Sequence, residues 1–183
     1  MKNKDNFLRN IPNIISVVRI ALVAVFAAFF TQEKYLHSLV VYALAFLSDV
    51  LDGFLARRFN WITSVGKLLD PLADKLMLIT ALVCFLTKGI IPPWVLLLMG
   101  SKEIMMCICG IIFYKRGVVV ESDITGKVST GLWTLTVVAL LLQNAIPGLS
   151  PVSGVIMFCA VASSVFALVN YAVRYFGKKT SAE

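Results

Sequence analysis

Asp49, Asp52, Asp70 and Asp74 are the residues of this chain whose type and spacing point most directly to chemistry. All four fall within or at the edge of apolar stretches. An ionised group inside a bilayer costs at least about 2.5–3.5 kcal/mol and usually serves a function. Asp49 and Asp52 are three apart and Asp70 and Asp74 four apart, so on helices each pair shares one face. Gly53 and Ala56 lie on the face of the first pair and leave the backbone bare for a ligand's close approach, and Gly66 extends the second stripe. Two adjacent antiparallel helices would present four carboxylates across one gap. Charges of one sign repel, so something cationic must compensate them. Oxygen-only donors suit hard cations such as magnesium or manganese. Two such ions can clamp a phosphoryl group, stabilising its entering and leaving oxygens. A purely structural reading pairs the acids with Arg57, Arg58, Lys67 and Lys75 at helix ends. It accounts for one or two carboxylates, not for a paired set with small residues interleaved.

The elements that must position these acids are apolar helices. Of 183 residues 59% are hydrophobic, and the mean hydropathy is +0.87, above what a soluble domain of this size carries. With about 20 apolar residues per bilayer span, the chain has room for six spans and no separate soluble domain. The pattern predicts an all-α, polytopic membrane protein, a single membrane domain over residues 1–183. Its spans run from Ile14 to Phe30, Leu36 to Arg58, Val65 to Thr87, Pro92–Pro93 to Tyr114, Thr125 to Asn144, and Val152 to Tyr175. Pro147, Gly148 and Pro151 mark the turn before the last. Pro71, directly after Asp70, either sits close to the start of the third helix or bends one that starts near Thr63 or Ser64. A signal peptide competes for the first span, but Arg19 interrupts the apolar run and no small-residue cleavage site follows. A retained helix is expected.

Charge placement sets the topology. With the N-terminus cytoplasmic, the inner ends and loops hold Lys2, Lys4, Arg9, Arg57, Arg58, Lys67, Lys75, Lys115, Arg116, Lys127, Arg174, Lys178 and Lys179, against Lys34 and Lys88 outside. That bias follows the positive-inside rule. It puts both termini, and the ends of helices two and three, at the cytoplasmic side of the cell membrane. The formal charge of +7 is thus an orientation signal rather than a nucleic-acid surface. Cys84, Cys107, Cys109 and Cys159 lie in apolar runs without metal-ligand spacing and read as small buried residues. His37 reads as a connector residue without a role. Lys102, beside Glu103 in mid-span, invites either an ion pair or a substrate contact.

From Asp49 onward the chain reads DVLDGFLARRFNWITSVGKLLDPLADK, which resembles the CDP-alcohol phosphotransferase signature D-x-x-D-G-x-x-A-R, eight residues, G-x-x-x-D-x-x-x-D. Every fixed position is present, and the resemblance extends to the six-span layout. It implies that Asp49, Asp52 and Asp70 hold two Mg2+ or Mn2+ ions and the CDP pyrophosphate. It makes Asp74 both the last metal ligand and the general base on the acceptor hydroxyl. Gly53, Ala56, Arg57 and Gly66 would line the cytidine diphosphate pocket with the first two aspartates. The reaction implied moves a phosphatidyl group from CDP-diacylglycerol to an alcohol in phospholipid biosynthesis, releasing CMP. Homodimers are common among such proteins, so a second copy is a candidate partner beside the lipid bilayer.

Within the family, Ile11-Pro12-Asn13 with Arg19, and the stretch Leu69 to Lys75, look like phosphatidylglycerophosphate synthases, whose acceptor is glycerol 3-phosphate. Arg19, Lys102 and Lys127 are then candidates for its phosphate. Two departures stand out: Lys102-Glu103 replaces Arg-Glu, and Ser129 replaces the second lysine of G-K-x-K-T. Lysine lacks arginine's bidentate fork. Cardiolipin synthases share the L-D-P-L-A-D-K stretch and take phosphatidylglycerol, which makes them the alternative. A carrier, the alternative from another class, predicts inverted repeats, whereas the acids sit in one half of the chain.

Overall fold

The computed structural model describes residues 11–59, 66–115, 124–146 and 150–179; the side chains of 11–13, 55–57, 66–71, 106–115, 145, 150, 171–172 and 174–179 lie outside that description. The described residues form six α-helices: α1 (Ile11–Thr31), α2 (Tyr35–Phe59), α3 (Gly66–Thr87), α4 (Pro93–Lys115), α5 (Ile124–Ala145) and α6 (Ser150–Lys179). Their ends agree with the apolar pattern to within a few residues. α3 runs unbroken through Pro71 from Gly66, so proline falls just beyond the first turn, where few ladder bonds precede it. His37 belongs to the first turn of α2 rather than to a connector, and its ring lies 5.5 Å from that of Phe29.

Among the described residues four stretches are long and apolar enough to cross a membrane: Ile14–Thr31, Tyr35–Phe54, Ile124–Asn144 and Pro151–Asn170. α3 and α4 also carry charge inside their length, as α1 and α2 do. α3 carries Lys67, Asp70, Asp74 and Lys75, and α4 carries Lys102 and Glu103. Large apolar side chains such as Val17, Leu47, Phe54, Leu97, Phe158 and Phe166 point outward. A surface of that kind is expected where lipid is the solvent.

The helices fall into two three-helix units, Met1–Thr87 and Lys88–Glu183. In the first, α1 packs along both α2 and α3, which touch each other less extensively. The short α1–α2 connector is closed by paired backbone bonds, Lys34 N–H to Phe29 C=O at 3.0 Å and Glu33 N–H to Phe30 C=O at 2.9 Å. Glu33 takes the left-handed position with φ of 61°. This is the Schellman arrangement that ends helices and reverses the chain. α1 and α2 are thereby antiparallel neighbours. In the second unit α5 and α6 form the main pair, and α4 packs against α6. Gly89 supplies a φ of 68° in the turn before α4, and Pro93 opens that helix, where a missing N–H costs nothing.

The core of the first unit is an aromatic plug at the connector end. Phe30 is almost fully buried and meets Phe85 edge-on at 5.2 Å, Tyr35 at 5.4 Å and Phe26 at 6.0 Å. Phe26 also faces Tyr42 at 6.0 Å. Edge contacts of this sort add about 0.5–1.5 kcal/mol each to the packing. Phe30→Ala is expected to lower thermal stability in detergent by about 2–3 kcal/mol. That is below the soluble-core value because unfolded helices would still bury the ring in apolar solvent. Thermal unfolding followed by size-exclusion fluorescence checks it.

Candidate functional site

At the opposite end of the first unit the same antiparallel pair brings charge together. Arg19 lies eleven residues before Phe30, about 16 Å along α1. Its guanidinium is almost fully buried and faces α2. Nη1 donates to Asp49 Oδ1 at 2.6 Å, Nη2 donates to Asp52 Oδ2, and Nε donates to Ser48 Oγ at 3.4 Å. Ser48 in turn donates to the Ala45 carbonyl at 2.7 Å. Asp52 is buried with its partner, while the Asp49 side chain is 40% exposed and opens outward. The three-residue spacing does what the sequence expects, placing both carboxylates on one face of α2. The cation they meet there is one that sequence reasoning assigned elsewhere, to an acceptor phosphate.

A signal for this contact was present. With a connector of only three residues, positions equally far from it on α1 and α2 lie level. Arg19 is 12 residues before Thr31, and Asp49 is 14 after Tyr35. Counting outward from the turn pairs them.

Asp74 lies on α3 with an outward-facing side chain that has an interaction partner, and Gly53 follows Asp52 on α2. Asp70 and Gly66 belong to the first turns of α3, and Ala56 and Arg57 to the last turns of α2. The side chains of Asp70, Ala56 and Arg57 lie outside the described residues. Among the described residues no three His, Cys, Asp or Glu side chains converge into a metal cage, a set from which Asp70 is missing.

The second unit holds a different polar centre. Lys102 of α4 is fully buried. Its ammonium lies 3.3 Å from Glu103 Oε1 and donates to Ser129 Oγ of α5 at 3.1 Å. Ser129 lies 3.0 Å from Ser164 Oγ of α6, and the fully buried Trp133 donates its indole N–H to the same oxygen at 2.8 Å. Ser164 spends its own hydrogen on the Ala160 carbonyl at 2.9 Å, so the hydroxyl of Ser129 must donate to it. The chain of donors then runs Lys102 to Ser129 to Ser164 without a gap. It joins all three helices. The serine at position 129, where the synthase resemblance leads one to expect a lysine, is therefore the acceptor that a buried lysine at 102 needs. Lys127, two residues before Ser129 and so on the opposite side of α5, is exposed. Sequence reasoning found Lys102 and its neighbour Glu103 but not the hydroxyls and indole beyond them. The spacing of Ser129 and Trp133, four apart on one face of an apolar helix, is the clue.

The profile of the CDP-alcohol phosphatidyltransferase family matches residues 9–166, a stretch that holds Arg19, all four aspartates, Lys102, Ser129 and Ser164. The chain belongs to that family. It is 36% identical over 137 residues to the CDP-diacylglycerol--glycerol-3-phosphate 3-phosphatidyltransferase of Aquifex aeolicus, covering 74% of this chain and 77% of the relative. The Bacillus subtilis protein of the same name is 31% identical over 150 residues, covering 74% and 78%. A cardiolipin synthase (CMP-forming) of Streptomyces coelicolor is 38% identical over 113 residues, covering 58% of this chain and 53% of that one. A CDP-alcohol phosphatidyltransferase is an enzyme of phospholipid synthesis, and the carrier alternative falls with this membership.

Ser164→Ala tests the second centre. It removes the acceptor of both Trp133 and Ser129 and leaves two buried donors without partners. The expected loss is about 2–3 kcal/mol of stability, read as a lower unfolding temperature, whereas the exposed Lys127→Ala should leave that temperature unchanged.

Proposed function

We propose that this chain transfers the phosphatidyl group of CDP-diacylglycerol to glycerol 3-phosphate, giving phosphatidylglycerophosphate and CMP. The observation that carries the reading is the convergence of Asp49 and Asp52 on a single cationic centre, inside a segment where every fixed position of the family signature is present. The acceptor is supported by the names of the Aquifex and Bacillus relatives.

The donor set fits a hard divalent ion. Asp49 and Asp52 offer carboxylate oxygens on one face of α2 and already share a cation, the Arg19 guanidinium, in a stand-in position. Asp70 and Asp74, four apart at the start of α3, would complete the set. When bound, Mg2+ or Mn2+ supplies charge that holds the pyrophosphate and stabilises the departing CMP oxygen. This chain's own residues do the rest. Gly53, Ala56, Arg57 and Gly66 make room for and contact the cytidine diphosphate. Lys102 and Lys127 draw in the acceptor phosphate, Lys102 from a fixed position and Lys127 from an exposed one. Asp74 accepts the proton of the acceptor hydroxyl as its oxygen attacks the phosphatidyl phosphorus. The bond from that phosphorus to the CMP oxygen breaks, and CMP leaves with the electron pair.

The same reading takes all six helices as spans of one membrane domain, residues 1–183, with both termini and the aspartates on the cytoplasmic side. The asymmetry of lysine and arginine supports that orientation, and the outward-facing apolar side chains support the bilayer. A homodimer in the membrane is part of the proposal.

The second reading, phosphatidylglycerol as acceptor, is favoured by the Streptomyces relative. Offering CDP-diacylglycerol with either glycerol 3-phosphate or phosphatidylglycerol to the purified enzyme, and following CMP, separates the two. Release with glycerol 3-phosphate and not with phosphatidylglycerol is expected. The opposite preference replaces the first reading by the second. In the same assay Asp74→Asn should lose activity by about a thousandfold or more, the upper part of the range for a general base that is also a ligand. Its folding should be retained, as judged by size exclusion.

A further inference from the structure

Arg19 reaches the pair of carboxylates from a helix the family signature does not include. Three of its donors are directed at consecutive polar positions of α2: Nε at Ser48, Nη1 at Asp49 and Nη2 at Asp52. It is buried to within 1% of its surface, and a guanidinium keeps its charge under all working conditions. Two carboxylates in an apolar helix bundle repel each other strongly, because the low local dielectric screens little. One permanent positive charge between them offsets half of their charge and fixes both rotamers. A divalent ion placed on the same carboxylates meets that positive charge at close range, again with little screening. Whether it displaces the guanidinium or shares the carboxylates with it, the ion binds less tightly than it would to the acids alone.

We propose that Arg19 is a resident counter-cation: it holds Asp49 and Asp52 in place while the enzyme is metal-free and competes with the incoming metal for them. The inference rests on the metal reading above and adds to it an exchange between an internal and an external cation. It makes Arg19 a positioning residue, not one that touches the substrate. It also gives a physical reason why the metal would load most readily together with an anionic nucleotide. The pyrophosphate brings negative charge to replace what Arg19 has neutralised.

The test measures metal affinity rather than turnover. Purified enzyme in detergent is titrated with Mn2+, free ion being read by electron paramagnetic resonance, and thermal unfolding is recorded in chelator and in Mn2+. Arg19→Gln keeps a neutral polar group of similar reach. It is expected to bind Mn2+ about tenfold or more tighter than wild type, to unfold at a lower temperature in chelator, and to gain more from Mn2+ than wild type does. Recovery of the variant only when Mn2+ is present throughout purification is the same result in stronger form. Should Arg19→Gln fail to fold under both conditions, Arg19→Lys decides. Its single ammonium cannot bridge two carboxylates as the fork does, so its Mn2+ affinity should be about three- to tenfold above wild type. Equal or weaker affinity in the folded variant overturns the proposal while leaving the metal reading in place. Absence of Mn2+ binding by wild type and variant alike removes both.

Discussion

A guanidinium between two carboxylates, where two largely apolar helices meet, is the constraint around which the first half of this protein is arranged. Asp52 could not sit buried in α2 without compensation, since a lone buried charge is expensive. Neither could the arginine sit in α1. Together they form a charge-assisted fork whose geometry fixes the rotation of α1 against α2, because all three donor directions must find their acceptors at once. The aromatic plug at the connector end tolerates small adjustments in ring angle. The charged end does not. The two ends therefore divide the labour: Phe26, Phe30, Tyr42 and Phe85 supply close packing, and Arg19 supplies register.

The second unit solves a similar problem by other means. Among the described residues Lys102 faces a single carboxylate rather than a pair. It has one adjacent carboxylate and a row of hydroxyls, and these pass the hydrogen-bonding demand from helix to helix until it ends on a backbone carbonyl. A row of that kind is useful only when complete, since each buried donor left over would cost its full desolvation. Ser129 shows why reading single positions against a family pattern can mislead. Replacing a lysine by serine looks like a loss of charge. In context it is the acceptor for the charge retained at position 102.

Much of this was legible in the sequence. Helix ends followed from apolar runs and from prolines and glycines, because in a lipid-like environment length and hydropathy leave few alternatives. The pairing of Asp49 with Asp52 followed from helical spacing alone. The cation opposite them did not, because spacing within one helix says nothing about its neighbour. Arg19 was visible as a charge in an apolar run, and its position level with Asp49 could be counted from the connector, but only once α1 and α2 were taken as a hairpin. His37 was read as a connector residue although the expected span began at Leu36; the tight turn over Gln32 to Lys34 leaves it inside the first turn of α2. Glu33, not a glycine, occupies the left-handed position there, so the usual marker of a helix end was missing. The Ser129, Trp133 and Ser164 set is harder still, since serines in apolar helices mostly satisfy themselves on the preceding turn, as Thr130 and Thr134 do here.

The contrast between the two centres bears on how such an enzyme can bind a doubly charged ion without collapsing in its absence. A cage of carboxylates strong enough to hold metal permanently would be unstable when empty, because like charges in a poor dielectric would force the helices apart or take up protons. A cage neutralised entirely by lysines and arginines would be stable but would have little affinity left. One buried arginine on two of the acids lies between these limits. It leaves a net negative charge to attract the metal, and it leaves the carboxylates already turned to one side when the metal arrives. Holding acids in a productive orientation before the ligand is present is the same economy that preorganised sites use for substrates. Here the preorganising group comes from outside the signature that names the family, on a helix that packs along both of the helices carrying the acids.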